Sequence, residues 1–104
     1  MKRRVVWSRD ALEELKQIGR HIARDNLPAA RRVAAAIRNA GDALGERAIG
    51  RKGRVTGTYE KSVTGIPYII AYAIGARPEG GEDVFILRVI HTARQWDADT
   101  WPKE

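Results

Sequence analysis

The residues of this chain that could do chemistry cluster around His91, at the end of its most apolar stretch. Imidazole is the usual proton carrier near neutral pH. Cleavage of RNA by its own 2′-hydroxyl needs a base, an acid and cations that stabilise the developing phosphorane. The side chains that could supply these groups are one carboxylate, one phenol and three arginines: Glu60, Tyr72, Arg54, Arg88 and Arg94. The alternative is that His91 only makes a hydrogen bond at the end of a strand.

The apolar stretch before this histidine, residues 83–90, predicts a buried central strand. It is rich in β-branched side chains and follows a loop rich in glycine. The alternate side chains that we expect to face a helical layer are Phe85, Leu87 and Val89. Arg88 then points to the opposite, open face, where a charge must be solvated or paired. Glu60 and Asp83 are its candidate partners.

Two amphipathic helices are predicted over residues 8–45. Ser8 is a suitable N-cap, and Pro28 fits the first turn of the second helix. Gly45 is a natural C-terminal stop. The apolar stripe of the first helix is Leu12, Leu15, Ile18 and Ile22. Helices joined by so short a connection should form an antiparallel hairpin.

The remaining segments predict a small sheet, built from residues 3–7 and about 55–91. Short loops between the last three strands indicate an antiparallel meander. The basic segment from Gly45 to Gly53 is predicted as a loop. The order is therefore β-α-α-β-β-β, an α+β fold with the helical hairpin packed on one face of a small antiparallel sheet. We expect one domain over residues 1–104, with a short C-terminal tail over 93–104.

Composition and net charge limit the classes of function that this chain could have. The chain has no cysteine and its two histidines are far apart in sequence, so neither a metal site nor a cofactor is predicted. No apolar run is long enough for a signal peptide core or a membrane span, which favours a cytoplasmic protein. The net charge of +6 and pI near 10.2 favour an acidic partner, such as nucleic acid or an acidic protein segment.

Several segments together resemble the RelE/ParE superfamily of bacterial toxins from type II toxin–antitoxin modules. The ending LRVIHTARQW, residues 87–96, is the most specific of them and is similar to the ParE branch. The resemblance runs from about residue 5 to residue 96. The other matching segments are residues 26–30, 50–54, 57–60 and 67–72.

The resemblance implies the α+β fold and two rival activities. RelE-like members cut messenger RNA in the ribosomal decoding site, whereas ParE-like members are described as poisoning DNA gyrase without cutting anything themselves. Both are silenced by an antitoxin whose C-terminal segment wraps over the toxin. For this chain the resemblance implies a ParD-like antitoxin, of ribbon-helix-helix type, and contact with DNA only through the antitoxin complex.

Departures from the RelE pattern favour the ParE activity. RelE-type nucleases carry YRLVY in the third strand, and that arginine contacts the scissile phosphate. Here the segment is YIIAY, residues 68–72, so Ile69 replaces the cation. A second functional arginine or tyrosine would fall near Thr92, which can do neither job. ParE-like relatives, however, often have arginine where Tyr59 stands.

We therefore expect a toxin that binds and inhibits DNA gyrase and is not an enzyme. The residues expected at the target are Arg88, His91, Arg94 and Trp96. The residues expected at the antitoxin, in a groove between the helices and the sheet, are Leu12, Leu15, Arg31, Arg38 and Tyr72. One alternative is a ribosome-dependent mRNA endonuclease that uses Arg54, Glu60, Arg88 and His91. Another is a non-catalytic partner in antitoxin-mediated autoregulation.

Overall fold

Two helices pack against a five-stranded sheet in this computed structural model, which describes residues 2–93. The predictions on Arg94 and Trp96, and on the tail beyond residue 93, lie outside the described residues. Within that range no helix is long and apolar enough to cross a membrane. The elements are β1 (Arg4–Trp7), α1 (Arg9–Ala23), α2 (Leu27–Ala43), β2 (Arg51–Lys52), β3 (Tyr59–Ser62), β4 (Tyr68–Ala76) and β5 (Glu82–His91).

The helical hairpin forms as predicted, with a side-chain cap at the start of each helix. The Ser8 hydroxyl accepts a hydrogen bond from the Ala11 N–H at 3.0 Å and donates to the Leu87 carbonyl, also at 3.0 Å. Asn26 caps α2 by accepting from the Ala29 N–H at 3.0 Å. Both caps satisfy N–H groups that a helix start leaves unpaired. The Ser8 cap also ties α1 to the sheet.

The strand order is β1-β5-β4-β3-β2, so β5 is an interior strand with a neighbour on each side, although the middle strand is β4 and not β5 as predicted. The four strands from β2 to β5 are antiparallel, but β1 runs parallel to β5, with Arg4 opposite Asp83. The sheet is therefore mixed, and its expected antiparallel character fails at this edge. Parallel pairing is possible here because both helices lie in the connection between β1 and β5.

The second half of the sheet differs from the prediction in two places. Arg51 and Lys52, predicted as loop, form the edge strand β2. The strand expected from Val55 starts only at Tyr59, because residues 53–58 form a turn in which the Thr58 N–H bonds to the Val55 carbonyl at 3.1 Å. Gly57 has a φ of +86°, which favours glycine.

A bulge in the β4–β5 pair decides which side chains face the helices. The register shifts between Ala71 and Tyr72, opposite Leu87, so the alternation in β5 is broken there. Core contacts with the helices come from Val84, Ile86 and Val89. Of the set predicted on that face, only Val89 is correct. Phe85 and Leu87 were misplaced because strict alternation ignores the extra residue.

Candidate binding surfaces

The sheet face away from the helical core carries two rows of side chains in direct register. One row is Glu60, Ala71 and Arg88, and the next is Ser62, Ile69 and Ile90. Directly opposite residues share a face, so each row has hydrocarbon at its centre. Ala71 is 0% exposed and Ile69 is 5% exposed. Ile69, the residue that departs from the nuclease pattern, therefore lies at the centre of the second row, between Ser62 and Ile90.

Glu60 is held as a structural carboxylate. It is 3% exposed, and its Oε2 accepts a hydrogen bond from the Arg54 N–H at 3.0 Å. Its Oε1 lies 3.4 Å from Nη2 of Arg51. Both oxygens are thus engaged by neighbouring residues, and the carboxylate is buried. The predicted role of Glu60 as a general base does not fit this environment.

Arg88 is paired, but with neither of its predicted partners. Its guanidinium bonds to Oε2 of Glu14 on α1 at 2.6 Å, and both side chains are more than four-fifths buried. The other oxygen of Glu14 accepts from the Val89 N–H at 2.9 Å. Asp83 is engaged elsewhere, by Arg4 at 2.8 Å and Arg77 at 3.3 Å. The Arg88 pair therefore fastens α1 to the part of β5 that β1 does not cover.

Asp83 also changes the pKa of Arg4, its partner at 2.8 Å. Hydrogen bonding and charge attraction from this carboxylate raise the pKa of Arg4 above its usual value. The guanidinium stays charged at any pH the protein meets.

His91 lies at the exposed end of β5, on the helical side of the sheet. Its Nδ1 accepts a hydrogen bond from the Ala93 N–H at 3.1 Å, and its ring packs edge-on against Tyr68 at 5.2 Å. Burial raises the pKa of the Tyr68 phenol. His91 and His21, expected to be far apart, line one cavity of about 190 Å³ with Gln17. Within residues 2–93 no group of three potential ligands could hold a metal.

The predicted nuclease groups are therefore not brought together. Glu60 and Arg88 share one face of the sheet, while His91 projects toward the cavity beside α1 on the other. Arg54 contributes its backbone N–H to Glu60 from the turn after β2. The four residues of the nuclease alternative are thus divided between the two faces of the sheet and the turn after β2.

Tyr72 is buried completely and cannot contact a partner from the surface of this fold. Its hydroxyl accepts a hydrogen bond from the Gly50 N–H at 2.7 Å, and its ring stacks on Tyr59 with centroids 5.5 Å apart. Burial raises the pKa of Tyr72, which also makes it a poor proton donor. The predicted roles of Tyr72 as an antitoxin contact and as an acid do not fit this environment.

An apolar groove lies between α1 and α2. Its volume is about 430 Å³, and Leu27 on its wall is 50% exposed. Two of the predicted antitoxin contacts, Leu15 and Arg31, line it. The predicted groove lay between helices and sheet, whereas this one lies between the helices. Its remaining lining residues are Lys16, Gly19, Arg20, Ala23, Ala30 and Ala34.

The other two predicted antitoxin contacts lie outside this groove. Leu12 is half-buried on α1. Arg38 stacks over the Trp7 ring, 5.2 Å from its centroid, and pairs with Asp42 at 3.4 Å. Leu27, the first residue of α2, lines the groove but was not predicted at the antitoxin. The signal available in the sequence was an apolar side chain directly after the polar residues Asp25 and Asn26.

Comparisons with known proteins agree with this fold. Residues 5–96 match the family model for the ParE toxin of the type II toxin–antitoxin system parDE. A protein of Sinorhizobium fredii (strain NBRC 101917 / NGR234) with the name "Putative toxin Y4kP" is 44% identical over 96 residues, which are 91% of this chain and 94% of that protein. A solved structure titled "Chromosomal ParDE TA system from P. aeruginosa" matches in fold, with a TM-score of 0.76 and 21% identity over 86% of this chain and 96% of that one. The chain therefore belongs to the ParE toxin family of type II toxin–antitoxin systems.

Proposed function

We propose that this toxin acts in the cytoplasm by binding and inhibiting DNA gyrase, that it has no catalytic activity of its own, and that a ParD-like antitoxin of ribbon-helix-helix type neutralises it. The observation that supports a binding mode of action is the pair of neighbouring rows whose central residues are Ile69 and Ala71. Where a nuclease of the superfamily would hold a phosphate cation, Ile69 supplies hydrocarbon. The two charged groups at the ends of the Ala71 row, Glu60 and Arg88, already hold other residues of the fold.

Purified toxin added to a gyrase supercoiling reaction tests the target. We expect linear plasmid to accumulate, because a poisoned gyrase leaves cleaved DNA behind. His91→Ala should raise the toxin concentration for half-maximal linearisation about fivefold or more, as truncation of a contact residue does. Arg24→Ala, which removes an exposed side chain that does not line the His91 cavity, is the control. Unchanged supercoiling at saturating toxin would contradict gyrase as the target.

The α1–α2 groove supports the proposal of an antitoxin contact. Its apolar walls are flanked by Lys16, Arg20 and Arg31, so it suits an amphipathic segment with acidic side chains. A segment that folds on binding could bury Leu27 and cover the groove at the same time. The groove thus offers both the apolar area and the charge that such a segment requires.

Gly19 gives a clean test of the groove. A Cβ at this helical position would meet no atom within 4 Å, so a larger side chain fits without disturbing the fold. Gly19→Phe should fill the groove and weaken binding of the ParD-like antitoxin by about tenfold or more, as loss of a hot spot does. Gly19→Ala, which adds only a methyl group, should bind normally. Equal affinity of both variants in calorimetry would contradict the assignment.

A further inference from the structure

We propose that the edge of the sheet around β2 binds the sugar-phosphate backbone of duplex DNA directly, without the antitoxin. We call this surface the basic edge and define it by Arg47, Arg51, Lys52 and Arg54, all of which are exposed. The inference goes beyond the proposed function and does not depend on gyrase being the target.

The segment that contains the basic edge, residues 47–63, holds most of the chain's excess charge. Residues 47–63 contain five cations and a single carboxylate, Glu60, against a net charge of +6 for the whole chain. By contrast, α1 carries three cations and three carboxylates, so its charges cancel. The neighbouring carboxylate in sequence, Glu46, is paired with Lys2 at 3.2 Å. A segment with this excess of cations over carboxylates attracts a polyanion.

The buried carboxylate of Glu60 organises the edge and takes little charge away from its surface. It holds the turn after β2 through the Arg54 N–H and lies beneath Arg51, whose side chain is still 60% exposed. Antiparallel pairing of Arg51 with Glu60 and of Lys52 with Tyr59 keeps the backbone of the edge extended. The cations are therefore presented along a fixed strand and turn, which suits the regular phosphates of a duplex.

Within residues 2–93 the basic edge carries no exposed row of aromatic rings, which favours duplex DNA over single strands. Binding of single-stranded nucleic acid relies on aromatic rings that stack with bases. The aromatic side chain beside β2 in the described sheet is Tyr59, and its ring is stacked on the buried Tyr72 at 5.5 Å. Contacts from this edge would therefore reach phosphates only, and binding should be independent of base sequence.

Fluorescence anisotropy with the purified full chain and a labelled 20-base-pair duplex tests the inference. With four phosphate contacts, the slope of log K against log salt should be about −3.6, because each contact contributes about −0.9. The double variant Arg47→Gln/Lys52→Gln should reduce that slope by about 2 and lower the affinity at 50 mM salt by about tenfold or more.

The matched control is Arg24→Gln/Arg32→Gln, which removes two exposed charges from the helical hairpin. It should retain the slope of the unmodified chain. An equal loss in both double variants would overturn the inference, because binding would then follow net charge alone. Tighter binding of a single-stranded 20-mer, or equally tight binding of a glutamate-rich peptide of the same charge, would also overturn it.

Discussion

Three carboxylates with little exposure hold this fold together at the residue scale. Asp83 forms ion pairs with Arg4 and Arg77 at one end of β5. Glu60 pairs with Arg51 at the far edge of the sheet, and Glu14 on α1 pairs with Arg88. Pairs shielded from water weaken the fold when one member is removed, because the remaining charge keeps its desolvation cost. The arginines in these pairs therefore contribute to the stability of the fold.

Glu14→Gln should lower the free energy of unfolding by about 1–3 kcal/mol, since the carboxylate bonds to both Arg88 and the Val89 N–H. Glu13→Gln, on the exposed neighbouring position, should change it by less than about 0.5 kcal/mol. Urea denaturation followed by circular dichroism measures both. Equal effects of the two substitutions would show that the Glu14 pair contributes nothing specific.

The buried hydroxyl of Tyr72 should make the free energy of unfolding depend on pH in the alkaline range. Because burial raises its pKa, the folded protein keeps the phenol proton at a pH where the unfolded chain, with a pKa near 10, has lost it. The stability from Tyr72, and from Tyr68, is therefore fully present below about pH 10 and is lost as pH rises above that value.

Tyr72→Phe should make the alkaline loss of stability less steep. At pH 7 the same substitution should cost about 1–2 kcal/mol, because the Gly50 N–H loses its acceptor. Urea unfolding at pH 7, 9.5 and 11 separates the two effects. A variant that loses stability above pH 10 as steeply as the unmodified chain would contradict the assignment.

At the scale of elements, the two helical glycines have opposite roles. A Cβ on Gly19 in α1 would point into open space, whereas a Cβ on Gly41 in α2 would lie 2.8 Å from Cη2 of Trp7 and closer still to Cζ2. That close approach allows the Trp7 indole to donate to Asp42 at 3.0 Å. Gly41 thus determines how closely α2 packs on the end of β1.

Gly19→Ala should stabilise the protein by about 0.5–1 kcal/mol, because alanine restricts the unfolded chain more than glycine does. Gly41→Ala should destabilise it by about 1–3 kcal/mol, because the Trp7 ring must move. Thermal unfolding of the two variants measures both changes. Shifts of the same sign would contradict the difference in packing.

The elements also show which features of the fold can be predicted from local sequence and which depend on contacts between distant residues. The helical hairpin was predictable because its signals, the Ser8 cap and the apolar stripe of α1, are local. The parallel pairing of Arg4 with Asp83 joins residues 79 positions apart, and the bulge opposite Leu87 depends on packing. Neither the parallel pairing nor the bulge produces a pattern in the local sequence. Both determine which side chains lie on each face of the sheet.

At the scale of the whole molecule, the proposed binding surfaces lie on different parts of the fold. The α1–α2 groove lies on the helical hairpin, the basic edge lies beside β2, and His91 lies at the end of β5. Leu15 and Arg31 could be assigned to the groove from helical spacing. Tyr72 could not be excluded from a binding surface, because β4 is apolar on both faces and alternation gives no direction there.

Separate surfaces mean that one partner need not displace another by direct overlap. A toxin with a filled groove, Gly19→Phe, should therefore still linearise plasmid in a gyrase reaction. It should do so even when the ParD-like antitoxin is present at a concentration that silences the unmodified chain. Silencing of the variant at the same antitoxin concentration would show that the groove does not mediate neutralisation.

We propose that this toxin binds its target and cuts no nucleic acid, because Ile69 stands where the nucleases of the superfamily have a phosphate cation. Primer extension on messenger RNA in programmed ribosomes tests it most directly. With pure toxin in excess we predict no new 5′ ends. Cleavage within the decoding site that disappears in His91→Ala would contradict the claim.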